Sequence, residues 1–274
     1  MSLSVAILLF SGCGKAPEPV EDGSIGIHLA DWVPALGHNG WWGVVLAGRP
    51  VGEKVGSAED LQAIAVAPGK YDVYWIQDDN HENDPMRLGS DVLVESGQET
   101  TLNADSGIRL DKADWVPKIG HNGWWGAVPA GMKIDDRVDW AQNEPALLLP
   151  PGKYDVYWIQ DYKHENDRMR LAADVLVEPG KATTLAVDSG IRLESAGPVP
   201  EIGHNGWWGA VPAGLAIDER VDWSSSGSQP LLLPPGNYDL YWREDYNADP
   251  RRIAEVIEVT PGQLSVVPAE FPST

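Results

Sequence analysis

One hexapeptide occurs three times in the chain at a fixed interval. His-Asn-Gly-Trp-Trp-Gly runs from His38 to Gly43, from His121 to Gly126 and from His204 to Gly209, each copy 83 residues after the last. A second string follows the same period. Pro-Gly-Lys-Tyr-Asp-Val-Tyr-Trp spans Pro68 to Trp75, recurs identically from Pro151 to Trp158, and returns with two substitutions from Pro235 to Trp242. The last interval is 84, which places one inserted residue within Ser224 to Gln229. A chain that repeats at this period folds as similar units, each built from the same supersecondary pattern. The strings divide it into modules at 24–105, 106–188 and 189–274. Asn103-Ala104-Asp105-Ser106-Gly107 between the first two reads as a turn and not a spacer, so the modules are expected to meet end to end.

Each repeat reads as strands. In the second, Ile108–Leu110, Trp124–Pro129, Leu147–Leu149, Tyr154–Gln160, Leu171–Val177 and Thr183–Val187 are short apolar or aromatic runs, several cut off by Pro-Gly turns. Alternation puts Tyr154, Val156 and Trp158 on one face and Asp155, Tyr157 and Ile159 on the other. No segment sustains helical periodicity. The expected class is all-β: three tandem antiparallel β-sandwich modules of prealbumin or immunoglobulin-like type. The second half of each repeat, with Pro-Gly-Lys-Tyr-Asp-Val-Tyr and then Asp174 to Leu185, resembles the carboxypeptidase-regulatory-like, transthyretin-like sandwich modules of bacterial surface proteins. The resemblance implies a fold and hardly a function. The Trp-Trp segment has no counterpart in it.

The charge balance narrows the partners. Acidic residues number 41 against 20 basic ones, a formal net charge of −21. Phosphate backbones require Lys/Arg clusters, so nucleic acid is excluded as an expected partner. The N-terminus points to export. Residues 1–12 include the apolar run Ser4 to Phe10, too short to span a bilayer but suited to the core of a signal peptide. Phe10-Ser11-Gly12-Cys13 resembles the lipobox of bacterial lipoproteins, which implies lipidation at Cys13, the sole cysteine of the chain. Residues 13–23 then read as a lipidated tether. Gly14, where an aspartate would resemble an inner-membrane retention signal, favours the outer membrane. The expected location is the bacterial cell envelope, periplasmic or surface-exposed, with the lipid anchor as the membrane contact.

Two clusters are candidate sites. In the first, Asn-Gly favours a tight turn feeding an aromatic strand. Neighbouring indoles on a strand face opposite ways, so one ring of each pair would fill the core and the other could stack on a sugar beside His and Asn. The candidate ligand residues are His38, Asn39, Trp41 and Trp42; His121, Asn122, Trp124 and Trp125; and His204, Asn205, Trp207 and Trp208. In the second, Asp78, Asp79, Glu82 and Asp84, with Asp161, Glu165 and Asp167, supply oxygens that could hold Ca²⁺, although the spacing is not that of an EF-hand and a polar hairpin loop is the more ordinary reading of the same residues. No other cofactor is implied. No nucleophile elbow, His-Glu-x-x-His, phosphate loop or cysteine nucleophile is present. The expectation is a non-catalytic repeat array that binds envelope polysaccharide or protein. The alternative is a structural spacer or accessory subunit of a surface assembly. Exposure of the Trp rings discriminates them: exposed rings beside His favour a ligand, rings buried between modules favour a scaffold.

Overall fold

A computed structural model describes residues 21–37, 40–77, 85–120, 123–142, 144–160, 168–194, 202–203, 205–245 and 247–269. Each repeat contributes seven strands. The first holds β1 (Gly23–Leu29), β2 (Trp41–Leu46), β3 (Lys54–Ala58), β4 (Ile64–Val66), β5 (Gly69–Ile76), β6 (Met86–Val94) and β7 (Glu99–Ala104). The second holds β8 (Gly107–Lys112), β9 (Trp124–Pro129), β10 (Asp139–Ala141), β11 (Ala146–Leu148), β12 (Gly152–Ile159), β13 (Met169–Val177) and β14 (Ala182–Val187). The third holds β15 (Gly190–Glu194), β16 (Trp207–Pro212), β17 (Asp222–Ser224), β18 (Leu231–Leu232), β19 (Gly236–Arg243), β20 (Arg251–Val259) and β21 (Leu264–Pro268).

The strands form a four-stranded and a three-stranded sheet in every repeat: β3-β2-β5-β6 with β4-β1-β7, then β10-β9-β12-β13 with β11-β8-β14, then β17-β16-β19-β20 with β18-β15-β21. The chain is therefore a tandem array of β-sandwiches, as the turn-punctuated strand pattern predicts. One pairing departs from that pattern. The first and last strands of each repeat run parallel, β1 with β7, β8 with β14 and β15 with β21. Local turn signals reveal hairpins but not a pairing between strands about 75 residues apart.

The core lies between the two sheets. Tyr154, Val156 and Trp158 are buried along β12, and Tyr71, Val73 and Trp75 along β5. Each of these tyrosines also anchors its own turn: the Tyr71, Tyr154 and Tyr238 hydroxyls donate to the carbonyls of Ala67, Pro150 and Pro234 at 2.6, 2.8 and 2.8 Å. Burial pushes the Tyr154 and Tyr238 phenols up to about 12.

The opposite face carries a buried charge. Asp72, Asp155 and Asp239 follow these tyrosines and are almost wholly covered. In each, Oδ1 accepts from the amide of a left-handed residue in the neighbouring strand, namely Asp91, Asp174 and Val256. Oδ2 accepts from the turn glycine Gly48, Gly131 or Gly214. An arginine completes each set, Arg87, Arg170 or Arg252 at 3.6–3.8 Å. The aspartate thus pins a β-bulge and a hairpin turn at once, which offsets its desolvation. The Val256 amide bond leads the influences that hold the Asp239 carboxyl below the usual carboxylate range.

One contact recurs at both joints between successive repeats. A Cβ on Gly107 would lie 2.8 Å from the Trp32 ring, and one on Gly190 would lie 2.6 Å from the Trp115 ring. Both indoles are partly buried against the apolar core. The first repeat has Ser24 at the position of Gly107 and Gly190, and the third has Pro198 at the position of Trp32 and Trp115.

Candidate functional site

The three Trp-Trp pairs open β2, β9 and β16. The glycine before each pair is required by backbone approach. A Cβ on Gly40, Gly123 or Gly206 would fall 2.1–2.3 Å from the carbonyl of Gln77, Gln160 or Glu244. Asn205 has φ of 57°, the left-handed conformation that an Asn-Gly turn uses. His38, Asn39, His121, Asn122 and His204 lie outside the described residues.

The two rings of each pair face opposite ways, as alternation predicts. Trp42, Trp125 and Trp208 are fully buried in the sandwich, and their Nε1 atoms donate to the carbonyls of Asp60, Glu144 and Ser226 at 2.6, 2.9 and 2.8 Å. Trp41, Trp124 and Trp207 take the outer face but are not open platforms. Trp124 is 7% exposed and Trp207 6%. The Arg137 guanidinium sits 5.2 Å from the Trp124 centroid and 5.7 Å from that of Trp140, and the two rings are 6.1 Å apart at 56°. Arg220 lies 4.5 Å from Trp207, and Lys54 Nζ lies 3.7 Å from half-buried Trp41. A cation over an indole face is attracted by the ring quadrupole. The glycine after each pair lets the ring fold back, since a Cβ on Gly43, Gly126 or Gly209 would meet it at 3.0–3.4 Å. The expectation that one ring of each pair is exposed for stacking is therefore corrected for Trp124 and Trp207, whose outward faces are covered by the chain's own side chains.

The acidic candidates Asp78, Asp79, Glu82, Asp84, Asp161, Glu165 and Asp167, and the lipidation candidate Cys13, lie outside the described residues. Among the described residues no group of three or more His, Cys, Asp or Glu is placed to hold a metal, and no helix is long and apolar enough to cross a membrane.

A cavity of about 250 Å³ opens where the first repeat meets the second. Pro34, Ala35, Gly37 and Gln77 come from the first; Asp139, Trp140, Gln142 and Glu144 are among those from the second. The Gln77 amide donates to the Ala35 carbonyl and accepts from Trp75 Nε1, and Gln142 donates to the Gly120 carbonyl. Asp139 retains some accessible surface, yet its carboxyl is enclosed by protein. Burial, with the nearby Glu144 charge adding and the Trp140 amide opposing, pushes it up to about 7. Sequence reasoning passed over Asp139 because its three-residue strand carries no alternating pattern. The one available signal is Trp140, shared with Trp223 but replaced by Ser57 in the first repeat.

No family model matches the chain, and no curated protein does. Among solved structures, the Bacillus anthracis TIE protein aligns at 14% identity and a TM-score of 0.21, covering 91% of this chain and 50% of that one. The chain thus spans about half of that protein's length. A Streptococcal ancillary pilin aligns at 11% identity and a TM-score of 0.21, covering 91% of this chain and 99% of that one. The major pilin subunit of Bacillus cereus aligns at 8% identity and a TM-score of 0.20, covering 90% and 97%.

Proposed function

We propose that the chain is a non-catalytic structural spacer of the bacterial cell envelope, an array of stacked β-sandwiches carried on a lipid anchor at Cys13. The joint carries this reading. A tryptophan of one repeat is seated on a glycine of the next, at Trp32 on Gly107 and again at Trp115 on Gly190. Side chains that bury between neighbours fix their relative orientation, whereas ligand-gathering beads on a string need no such seat. The tryptophans that would serve sugar stacking are taken up in packing, the inner rings by the core and two of the outer ones by arginine. The net charge of −21 keeps such a rod from associating with itself.

Small-angle scattering on the intact chain tests this. The expected result is one extended particle with a narrow distance distribution, which broadens when Trp32 and Trp115 are both replaced by Ala. Freely hinged modules in the unaltered chain would refute the spacer. So would polysaccharide binding that depends on Trp41, the half-buried outer ring, since that would restore the binding array.

A further inference from the structure

The cavity between the first and second repeats combines aliphatic lining with carboxylates. Pro34, Ala146 and Leu147 supply the first kind, Asp139 and Glu144 the second, and among the described lining residues there is no lysine, arginine or histidine. We propose that it receives a primary alkylammonium group, the side chain of a lysine on a partner protein, with Asp139 as the ion-pair partner. This goes beyond the spacer reading and does not depend on it.

A comparison between repeats singles out Asp139. Its counterpart in the third repeat, Asp222, uses Oδ1 to accept from the Trp223 amide and Oδ2 to accept from the Leu232 amide at 3.0 Å. Asp139 makes the first bond, to the Trp140 amide, but its Oδ2 accepts none among the described residues. The oxygen that the third repeat satisfies with the Leu232 amide has no donor at this joint among the described residues, and an incoming ammonium group would supply one.

The lining selects among donors. An anion finds no counter-charge among the described lining residues. A hydroxylated sugar needs polar partners around its whole rim, and much of this lining is aliphatic. A lysine stem matches the aliphatic atoms while its head takes the carboxylate, as such amphipathic side chains commonly do. A volume of about 250 Å³ falls below the usual range of small-molecule pockets and suits a single long side chain. Electrostatics agree. β9, β11 and residues 34–37 carry no charged side chain, and Arg137 is held over the Trp124 and Trp140 rings. A carboxyl enclosed beside Glu144 favours a positive counterpart. A proton fills that role in the free protein up to about pH 7, and an ammonium group would displace it.

The test titrates the full chain with n-butylammonium, following the Trp140 indole N–H by nuclear magnetic resonance. Saturable binding is expected at about pH 8 and at least tenfold weaker binding at about pH 5.5, where the proton competes. Asp139→Asn should abolish it, and Asp222→Asn should not. Ala35→Phe, which plugs the cavity from the first repeat without touching Asp139, should abolish it as well. Butanol should not bind, and glucosamine should bind more weakly because it lacks the alkyl stem. Equal responses to butanol and butylammonium, or full affinity in both Asp139→Asn and Ala35→Phe, would overturn the proposal. Glucosamine binding more tightly than butylammonium would overturn the assignment to a protein lysine.

Discussion

Among the described residues, Val256 is the one most at odds with its own backbone. It sits in β20 at φ of 50°, where the first two repeats carry Asp91 and Asp174, each at 53°. The left-handed region costs an L-residue about 1–2 kcal/mol, and a β-branched side chain stands at the upper end, whereas Asn and Asp are enriched there. The position is imposed from outside, because the Val256 amide must reach Asp239 Oδ1 at 2.9 Å. Little packing opposes a change, since Val256 is 63% exposed. Val256→Asn should therefore stabilise the third repeat by about 1 kcal/mol. Native-state hydrogen exchange on the intact chain isolates that repeat: amides of β19 and β20 that exchange by its global opening should slow about fivefold. The reciprocal change, Asp174→Val, should speed exchange in β12 and β13 by a similar factor. If Val256→Asn leaves protection unchanged, or Asp174→Val is neutral, the strain assigned to the bulge is not there.

Other consequences can be measured separately. The raised carboxyl of Asp139 means that the folded protein binds its proton more tightly than the unfolded chain does. Stability should fall as pH rises from about 4 to about 7, by roughly 2 kcal/mol once its partial exposure is discounted, and melts of Asp139→Asn should lose that slope. Gly190→Ala places a methyl against both the Leu231 carbonyl and the Trp115 ring; it should destabilise the third repeat by about 2 kcal/mol or more in urea unfolding and loosen its joint in scattering. Tyr154→Phe deletes the hydroxyl bond to Pro150 and should cost about 1 kcal/mol in the same assay. Cys13→Ser in a lipoprotein-processing host should move the protein from the membrane to the soluble fraction; retention in the membrane would refute the anchor.

The strands were legible because their ends are marked. Trp124–Pro129 stands as read, and the Pro-Gly turns lead into β5, β12 and β19 within a residue. The three-residue β10 and the single turn of 3₁₀ helix before it were not, being too short to carry a period. Alternation sets Asp155 on the face opposite Tyr154, but it carries no sign of the bulge amide that covers Asp72 and its copies. The covering of the outer tryptophans had a trace in the sequence: a basic residue, Lys54, Arg137 or Arg220, stands thirteen positions after the first Trp of each pair. Without the hairpin that folds it back, that offset has no geometric meaning. The joint left a fainter trace still, because its two halves, Trp32 and Gly107, belong to different repeats.

The parallel pairing of first and last strands has a mechanical consequence. The chain enters a repeat along β1 and leaves along β7, side by side and in the same direction, registered from Ser24 opposite Glu99 to Leu29 opposite Ala104. Tension applied through the two ends pulls these strands past each other along their length. The hydrogen bonds between them are loaded together, in shear, and cannot be opened one after another as in a peeled hairpin. β8 with β14 and β15 with β21 repeat the arrangement. Each unit of the array is thus fastened against stretch by its own terminal strands, in the direction in which a tethered chain would be pulled.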